Sequence, residues 1–305
     1  MIKFKEILFL KNLKRIGKAT IYKNYWKILN EVSSFEKLVS KISLESRFTN
    51  DDIDKAVSEA EMIYDSVVDD PEITVITVFD EDYPEKLDIM GNKRPLILYF
   101  KGDASSIIKP NIAFIGTRKP SKLAMDFEEK MVRAILDKQD RVIVSGLALG
   151  CDKIAHQTTV DENRLTVAVL PSGVDVISPA SNKKLAQSII ETGGCLLSEY
   201  EPGKRANKGS FIERDAIVAA LCDATFVVEC GVKSGTMHTV NSALEYERPV
   251  YSYLPADRPK DAFDGNQFIL ENNESAILIE NVDDFFDSPA VETPIKSKSG
   301  QQTLF

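Results

Sequence analysis

Between Asn111 and Tyr253 the chain repeats one unit: a short apolar strand, a turn of small residues, then a helix. The first unit opens Asn111-Ile-Ala-Phe-Ile-Gly-Thr-Arg118 and the second Val142-Ile-Val-Ser-Gly-Leu-Ala-Leu-Gly150. The third turn is Leu170-Pro-Ser-Gly173, and the fourth is Val227-Val-Glu-Cys-Gly-Val-Lys-Ser-Gly-Thr236. Strands that alternate with helices predict a parallel sheet covered on both faces. Glycine lets backbone N–H groups approach a ligand closely, and a helix N-terminus favours anions. Four such turns are expected to meet at the carboxyl ends of the strands, where doubly wound folds bind ligands. The expected target carries phosphate: a nucleotide or a nucleic acid.

The predicted fold class is therefore α/β, an extended Rossmann-like, doubly wound, mostly parallel sheet preceded by a small all-helical domain. The 305 residues suffice for about two domains, and 43% are hydrophobic, enough for a sizeable core. No apolar run reaches the roughly 18 residues of a membrane span. The start, Met1-Ile-Lys-Phe-Lys-Glu-Ile, reads as no signal peptide, because charges interrupt its apolar pattern. Cys151, Cys195, Cys222 and Cys230 lack CxxC spacing and sit in or beside apolar runs. They read as reduced core cysteines of a cytoplasmic protein. His156 and His238 have no zinc-ligand spacing. The net charge of −9 argues against a basic coat for duplex DNA and leaves room for a local positive groove.

Residues 1–68 read as a helical domain. Ile7, Leu8, Leu10 and Leu13, then Tyr22, Tyr25, Trp26 and Leu29, recur at three and four spacing. Gly17 separates the first helices, and Asn50-Asp-Asp is expected to open another through about Tyr64, with Asn or Asp as its cap. Leu13-Lys-Arg-Ile-Gly-Lys18 admits two readings: plain packing, or a helix-hairpin-helix-like nucleic-acid module. Asp69-Asp-Pro71 marks a boundary. Two strands, Ile73–Phe79 and Leu96–Lys101, lead into the 69–287 domain. Residues 288–305 change to Pro, Ser, Lys, Gly and Gln, which reads as a flexible tail.

Gly116, Thr117 and Arg118, with Lys119 adjacent, form the first candidate phosphate turn; Arg118 can fork onto phosphate oxygens or stack on a base. Ser145 and Gly146 open the second, where the same small residues also suit strand-to-helix packing. His156, one turn past Asp152, reads as a structural histidine. Lys204, Arg205 and Lys208 lie in a basic loop before a helix that begins with Phe211 and Arg214. Cations beside an aromatic ring suit a single strand, one for the backbone and one for a base. Lys233, Ser234, Gly235 and Thr236 make a further anion turn. No Walker A sequence is present, and no GxGxxG with a ribose-binding acid follows a strand. No catalytic triad or metal set stands out, so neither an enzyme nor a cofactor is expected.

Taken together, Gly116-Thr-Arg118, Ser145-Gly-Leu-Ala-Leu-Gly-Cys-Asp152 with His156, Ala168-Val-Leu-Pro-Ser-Gly173, Leu197-Ser-Glu-Tyr-Glu-Pro-Gly203, Phe211 to Leu221, and Glu229 with Ser234-Gly-Thr236 resemble the DprA/Smf family of DNA-processing proteins. The resemblance runs from about Phe79 to Ile269, and the helical start resembles the small domain that often precedes this fold. It implies a non-catalytic protein, a homodimer, that binds single-stranded DNA and helps load the RecA recombinase in DNA uptake or recombination. By motif position, Arg118, Lys233 and Ser234 would line the groove, and Phe211 and Arg214 would sit at its rim. The chain departs from the family at Leu149, where a basic residue is usual, and at Ile212-Glu-Arg-Asp-Ala216, where the family pattern is Pro-x-Arg-Asn-Arg. These departures remove positive charge and mark a divergent member.

The end, Gln301-Gln-Thr-Leu-Phe305, resembles the short peptide with which bacterial repair proteins bind the DNA sliding clamp. Leu304 and Phe305 would fill an apolar pocket and the Gln301 amide would bond at its edge. The rival class is a nucleotide-binding sensor or a phosphoribohydrolase-like enzyme on the same fold. Against hydrolysis, Gly235-Thr236 is followed by no acid until Glu245.

Overall fold

A computed structural model describes residues 2–259 and 262–288. Five helices come first: α1 (Phe4–Asn12), α2 (Lys18–Thr20), α3 (Trp26–Glu31), α4 (Phe35–Ile42) and α5 (Asn50–Val68). A π-type turn, Ile21–Tyr25, joins α2 to α3. The cap of α5 is Thr49, one residue before the expected Asn or Asp. Its hydroxyl accepts from Asp52 N while the Asp52 carboxylate accepts from Thr49 N, satisfying two donors at once.

The apolar stripes of these helices need a partner surface, and they find it on the sheet. Phe4, Ile7, Leu8, Leu10, Tyr25 and Leu29 share one buried cluster with Ile97, Tyr99, Ala168, Leu170 and Leu196. Each such side chain contributes about 1.5–3 kcal/mol when fully buried. Phe4 meets Tyr99 edge-on at 6.1 Å, and Trp26 stacks on Phe79 at 4.7 Å. Arg94 closes the contact, with its guanidinium 5.7 Å from the Trp26 ring and its Nε donating to Tyr22 Oη at 3.1 Å. Lys18 also pairs with Glu199 at 2.6 Å. The helical segment thus packs on the α/β part through apolar, aromatic and ionic contacts.

Among the described residues the sheet has nine strands: β1 (Ile73–Thr77), β2 (Ile97–Gly102), β3 (Asn111–Ile115), β4 (Val142–Ser145), β5 (Thr166–Val169), β6 (Cys195–Ser198), β7 (Thr225–Val227), β8 (Val250–Tyr253) and β9 (Ala276–Ile279). Their order is β1-β2-β6-β5-β4-β3-β7-β8-β9. The seven strands from β6 to β9 are parallel, and β1 and β2 add antiparallel at one edge. The crossovers carry α6 (Lys122–Lys138), α7 (Cys151–Asp161), α8 (Lys183–Glu191), α9 (Lys208–Leu221), α10 (Thr236–Glu245) and α11 (Asp264–Asn272), and α12 (Val282–Phe286) follows β9. Two further apolar clusters fill the remaining interior, one of them around Phe114, Phe127, Phe226 and Tyr251. The expected α/β fold is the observed one.

Two further details differ from the sequence reading. Most core strands end a residue or two short of their apolar runs. And α9 starts at Lys208, three residues before the expected Phe211. Asn207 caps it, accepting from Gly209 N and Ser210 N, so the end of the basic loop is helical. Among the described residues no helix is long and apolar enough to cross a membrane.

Candidate nucleic-acid interface

β3 and β7 are neighbours, yet the chain proceeds from β3 towards β4 and from β7 towards β8, on opposite sides. Such a reversal opens a crevice at the carboxyl ends of the two strands. A cavity of about 450 Å3 occupies it, lined from β3 by Ile115, Gly116, Thr117 and Arg118, and from β4 by Gly146 and Ala148. Three of the four small-residue turns meet here. The third does not, because β5 and the Leu170–Gly173 turn lie two strands from the reversal. Gly173 N instead donates to Lys204 O at 2.9 Å and so holds the basic loop.

The crevice walls are tied together. Thr117 N donates to Glu229 O at 2.7 Å, and Thr236 Oγ1 donates to Gly116 O at 3.1 Å. The Glu229 carboxylate accepts from both N and Oγ of Ser121, the N-cap of α6, at 2.8 and 2.6 Å. Glu229 is thereby a clamp from β7 to the helix after β3. At Gly116 a Cβ would press on the Cys151 side chain and stand 3.0 Å from Glu229 O, so only glycine lets the two turns approach.

The floor is ionic. Arg214, 7% exposed, reaches from α9 across Gly146 to bring Nη1 within 3.7 Å of Asp152 Oδ2, and its Nε lies 3.1 Å from Asp215 Oδ1. A Cβ at Gly146 would fall on that guanidinium. Asp152 Oδ2 also accepts from Gly146 N at 3.2 Å and Ala148 N at 3.1 Å. One cation therefore faces two carboxylates. Burial, with the nearby Asp152 charge, pushes the Asp215 carboxyl up to about 6, against the opposing pull of Arg214. Arg214 is thus a floor residue, held by carboxylates, where a rim position was expected.

The rim differs. Arg118 is exposed and its guanidinium lies 5.7 Å from the Phe211 ring centre. Lys208, exposed in the first turn of α9, stands on the same side. Ser234, Gly235 and Thr236, at the start of α10, line the same cavity; the N-cap Gly235 supplies no side-chain bond. His238, Ile212, Val218 and Thr239 complete the lining.

The remaining sequence candidates lie outside the cavity lining. Ser145 is fully buried and donates its hydroxyl to Phe114 O at 2.6 Å, joining β4 to β3. Lys119 is exposed beyond Thr117. Lys204 pairs with Glu201 at 3.2 Å, and Arg205 and Lys233 are exposed elsewhere. His156 is fully buried, with Nδ1 2.7 Å from Thr166 Oγ1; burial and the Arg214 charge lower it to about 3, so it is a neutral core residue. Gln301, Leu304 and Phe305 lie outside the described residues. The residue that sequence reading undervalued is Asp215. Its spacing from Phe211 and Val218, one helical turn to either side, is the signal that puts it on the crevice face of α9.

Fold and site together define a Rossmann-like α/β protein with a crevice at its topological switch point. Residues 74–289, more than half of the chain, match the model of the family described as DNA recombination-mediator protein A, and the chain belongs to that family. It is 33% identical over 208 residues to the DNA processing protein DprA of Streptococcus pneumoniae, covering 68% of this chain and 71% of that one. It is 35% identical over 211 residues to protein Smf of Synechocystis, covering 68% of this chain and 52%, about half, of that relative. The crystal structure of the pneumococcal DprA superposes with a TM-score of 0.74 at 26% identity, over 92% of this chain and 96% of that one. A Helicobacter pylori DprA, whose structure was described for its single-stranded DNA binding mode, superposes with a TM-score of 0.62 at 31% identity, over 70% of this chain and 94% of that one.

Proposed function

We propose that this chain binds single-stranded DNA along the crevice and acts, without catalysing a reaction, in DNA uptake or recombination. The observation that carries this is the make-up of the crevice: Arg118, Lys208, the Phe211 ring and the start of α10 line one cavity. Cations and a helix N-terminus suit phosphates, and the half-buried Phe211 ring suits a stacked base in a sequence-tolerant way. The single-stranded DNA binding named for the Helicobacter pylori relative supports the reading. The test is fluorescence anisotropy with a labelled single strand over a salt series. Affinity that falls with salt, and that weakens in Arg118→Ala, supports it; no binding at low salt refutes it.

Homodimer formation, RecA loading and a cytoplasmic site of action belong to the same proposal. Light scattering of the purified chain checks the first, and RecA filament assembly on strands coated with a single-strand binding protein checks the second. Clamp binding through Gln301, Leu304 and Phe305 is a separate proposal. Truncation after Gly300 should abolish clamp binding and leave DNA binding intact; equal clamp affinity of the two forms refutes it.

The cavity volume also falls within the roughly 300–1,000 Å3 of small-ligand sites, which favours a nucleotide sensor as the second reading. Retention of a nucleotide by the purified protein, with no affinity for single strands, would establish it.

A further inference from the structure

We propose that Asp215 makes the crevice selective for guanine, reading the two adjacent N–H donors of that base while the rim holds the strand. The proposal rests on the single-stranded DNA reading above. Its basis is the opposite character of rim and floor. The rim carries Arg118 and Lys208, which attract the backbone. In the floor Arg214 faces Asp152 and Asp215 together, so the ionised floor carries one negative charge in excess and repels phosphate. A nucleotide bound here is therefore oriented with its phosphate outward and its base inward.

The floor also selects among bases. Asp152 Oδ2 is occupied by two backbone donors and the Arg214 guanidinium. Asp215 meets Arg214 through Oδ1, and its Oδ2 has no hydrogen bond among the described residues. An ionised carboxylate is an acceptor only, with lone pairs on both oxygens. Guanine offers N1–H and its 2-amino group side by side and fits it. Thymine offers one N–H between two carbonyl oxygens. Cytosine and adenine each place a ring acceptor beside their amino group, which opposes the second carboxylate oxygen. The Phe211 ring covers the same cavity and supplies a stacking face for the inserted base.

The experiment compares short thymidine strands that carry one central guanine, inosine, cytosine or adenine, bound to wild type and to Asp215→Asn. Wild type should bind the guanine strand on the order of tenfold more tightly than the all-thymidine strand. Inosine, which lacks the 2-amino group, should lose most of that gain. Asp215→Asn should lose the guanine preference and bind the thymidine strand more tightly than wild type does, because a negative charge has left the floor. Equal binding of all strands by wild type, with ordinary salt dependence, overturns the role of Asp215 and leaves the DNA reading standing. A guanine preference that persists in Asp215→Asn overturns it as well. Failure of every strand to bind overturns both. The inosine arm needs no variant, so it decides the matter even if Asp215→Asn folds poorly.

Discussion

The crevice makes a quantitative claim about which cations meet DNA. Sequence alone nominates Arg118, Lys119, Lys204, Arg205, Lys208 and Lys233 as phosphate contacts, beside Arg214. The structure places only Arg118 and Lys208 of the exposed six in the cavity lining; Lys204 already pairs with Glu201. For single strands the slope of log affinity against log salt is about −0.7 per phosphate neutralised. Removing one contacting cation should therefore flatten the slope by about 0.7. Between about 50 and 200 mM salt, that change weakens the salt effect by about 2.6-fold for each cation lost. The assay is anisotropy at several salt concentrations with Arg118→Ala, Lys208→Ala, Lys204→Ala, Arg205→Ala and Lys233→Ala. The first two should each flatten the slope by that amount, and the last three should leave it within error of wild type. Arg118→Ala should also remove the cation beside the Phe211 ring, a contact worth about 0.5–1 kcal/mol to the folded protein at an exposed site. Should Lys233→Ala or Lys204→Ala flatten the slope as much as Arg118→Ala, the strand runs outside this crevice and the placement of the interface is wrong.

Gly146→Ala should displace Arg214 from Asp152 and break that buried pair, a cost of about 3–5 kcal/mol by analogy with other broken buried pairs; a melting curve within error of wild type would contradict the packing at Gly146. Binding of an all-thymidine strand should strengthen as pH falls through about 6. There Asp215, raised by burial and by Asp152 and faced by Arg214, His238 and Arg118, takes up a proton and the floor loses its excess negative charge. Asp215→Asn should remove that transition, and its survival in the variant would assign the titration elsewhere. Glu128, fully buried on α6 against the Cys151 thiol, is held well above the usual carboxylate range by its burial. A raised folded value means a contribution present at low pH and lost as pH rises through that value. Glu128→Met should accordingly stabilise the protein by about 1–3 kcal/mol at neutral pH, and less in acid, as read by denaturant unfolding; destabilisation at neutral pH would show that the carboxyl has a partner.

The parts of this molecule that could be read from sequence are those set by local pattern. Apolar runs closed by Gly116, Gly146 and the Ser234–Thr236 turn specify strand, turn and helix within about ten residues of chain, and the sheet follows from their repetition. The parts that could not be read depend on partners distant in sequence. Sequence alone puts Arg214 at the rim because Asp152, one of the carboxylates that hold it, lies sixty-two positions earlier in the first turn of α7. Ser145 looked like a ligand until Phe114 O, on the neighbouring strand, took its hydroxyl. The third turn matched the others in composition, but strand order, which no local pattern encodes, put it two strands from the reversal. The same reasoning explains why charge lost at Ala216 need not abolish the site. Ala216 packs against the core cluster beneath the sheet, whereas Arg118 and Lys208 stand at the opening. Phosphate affinity depends on cations that reach the strand. The floor, where Asp215 stands against Arg214, is then free to be acidic and to discriminate among bases.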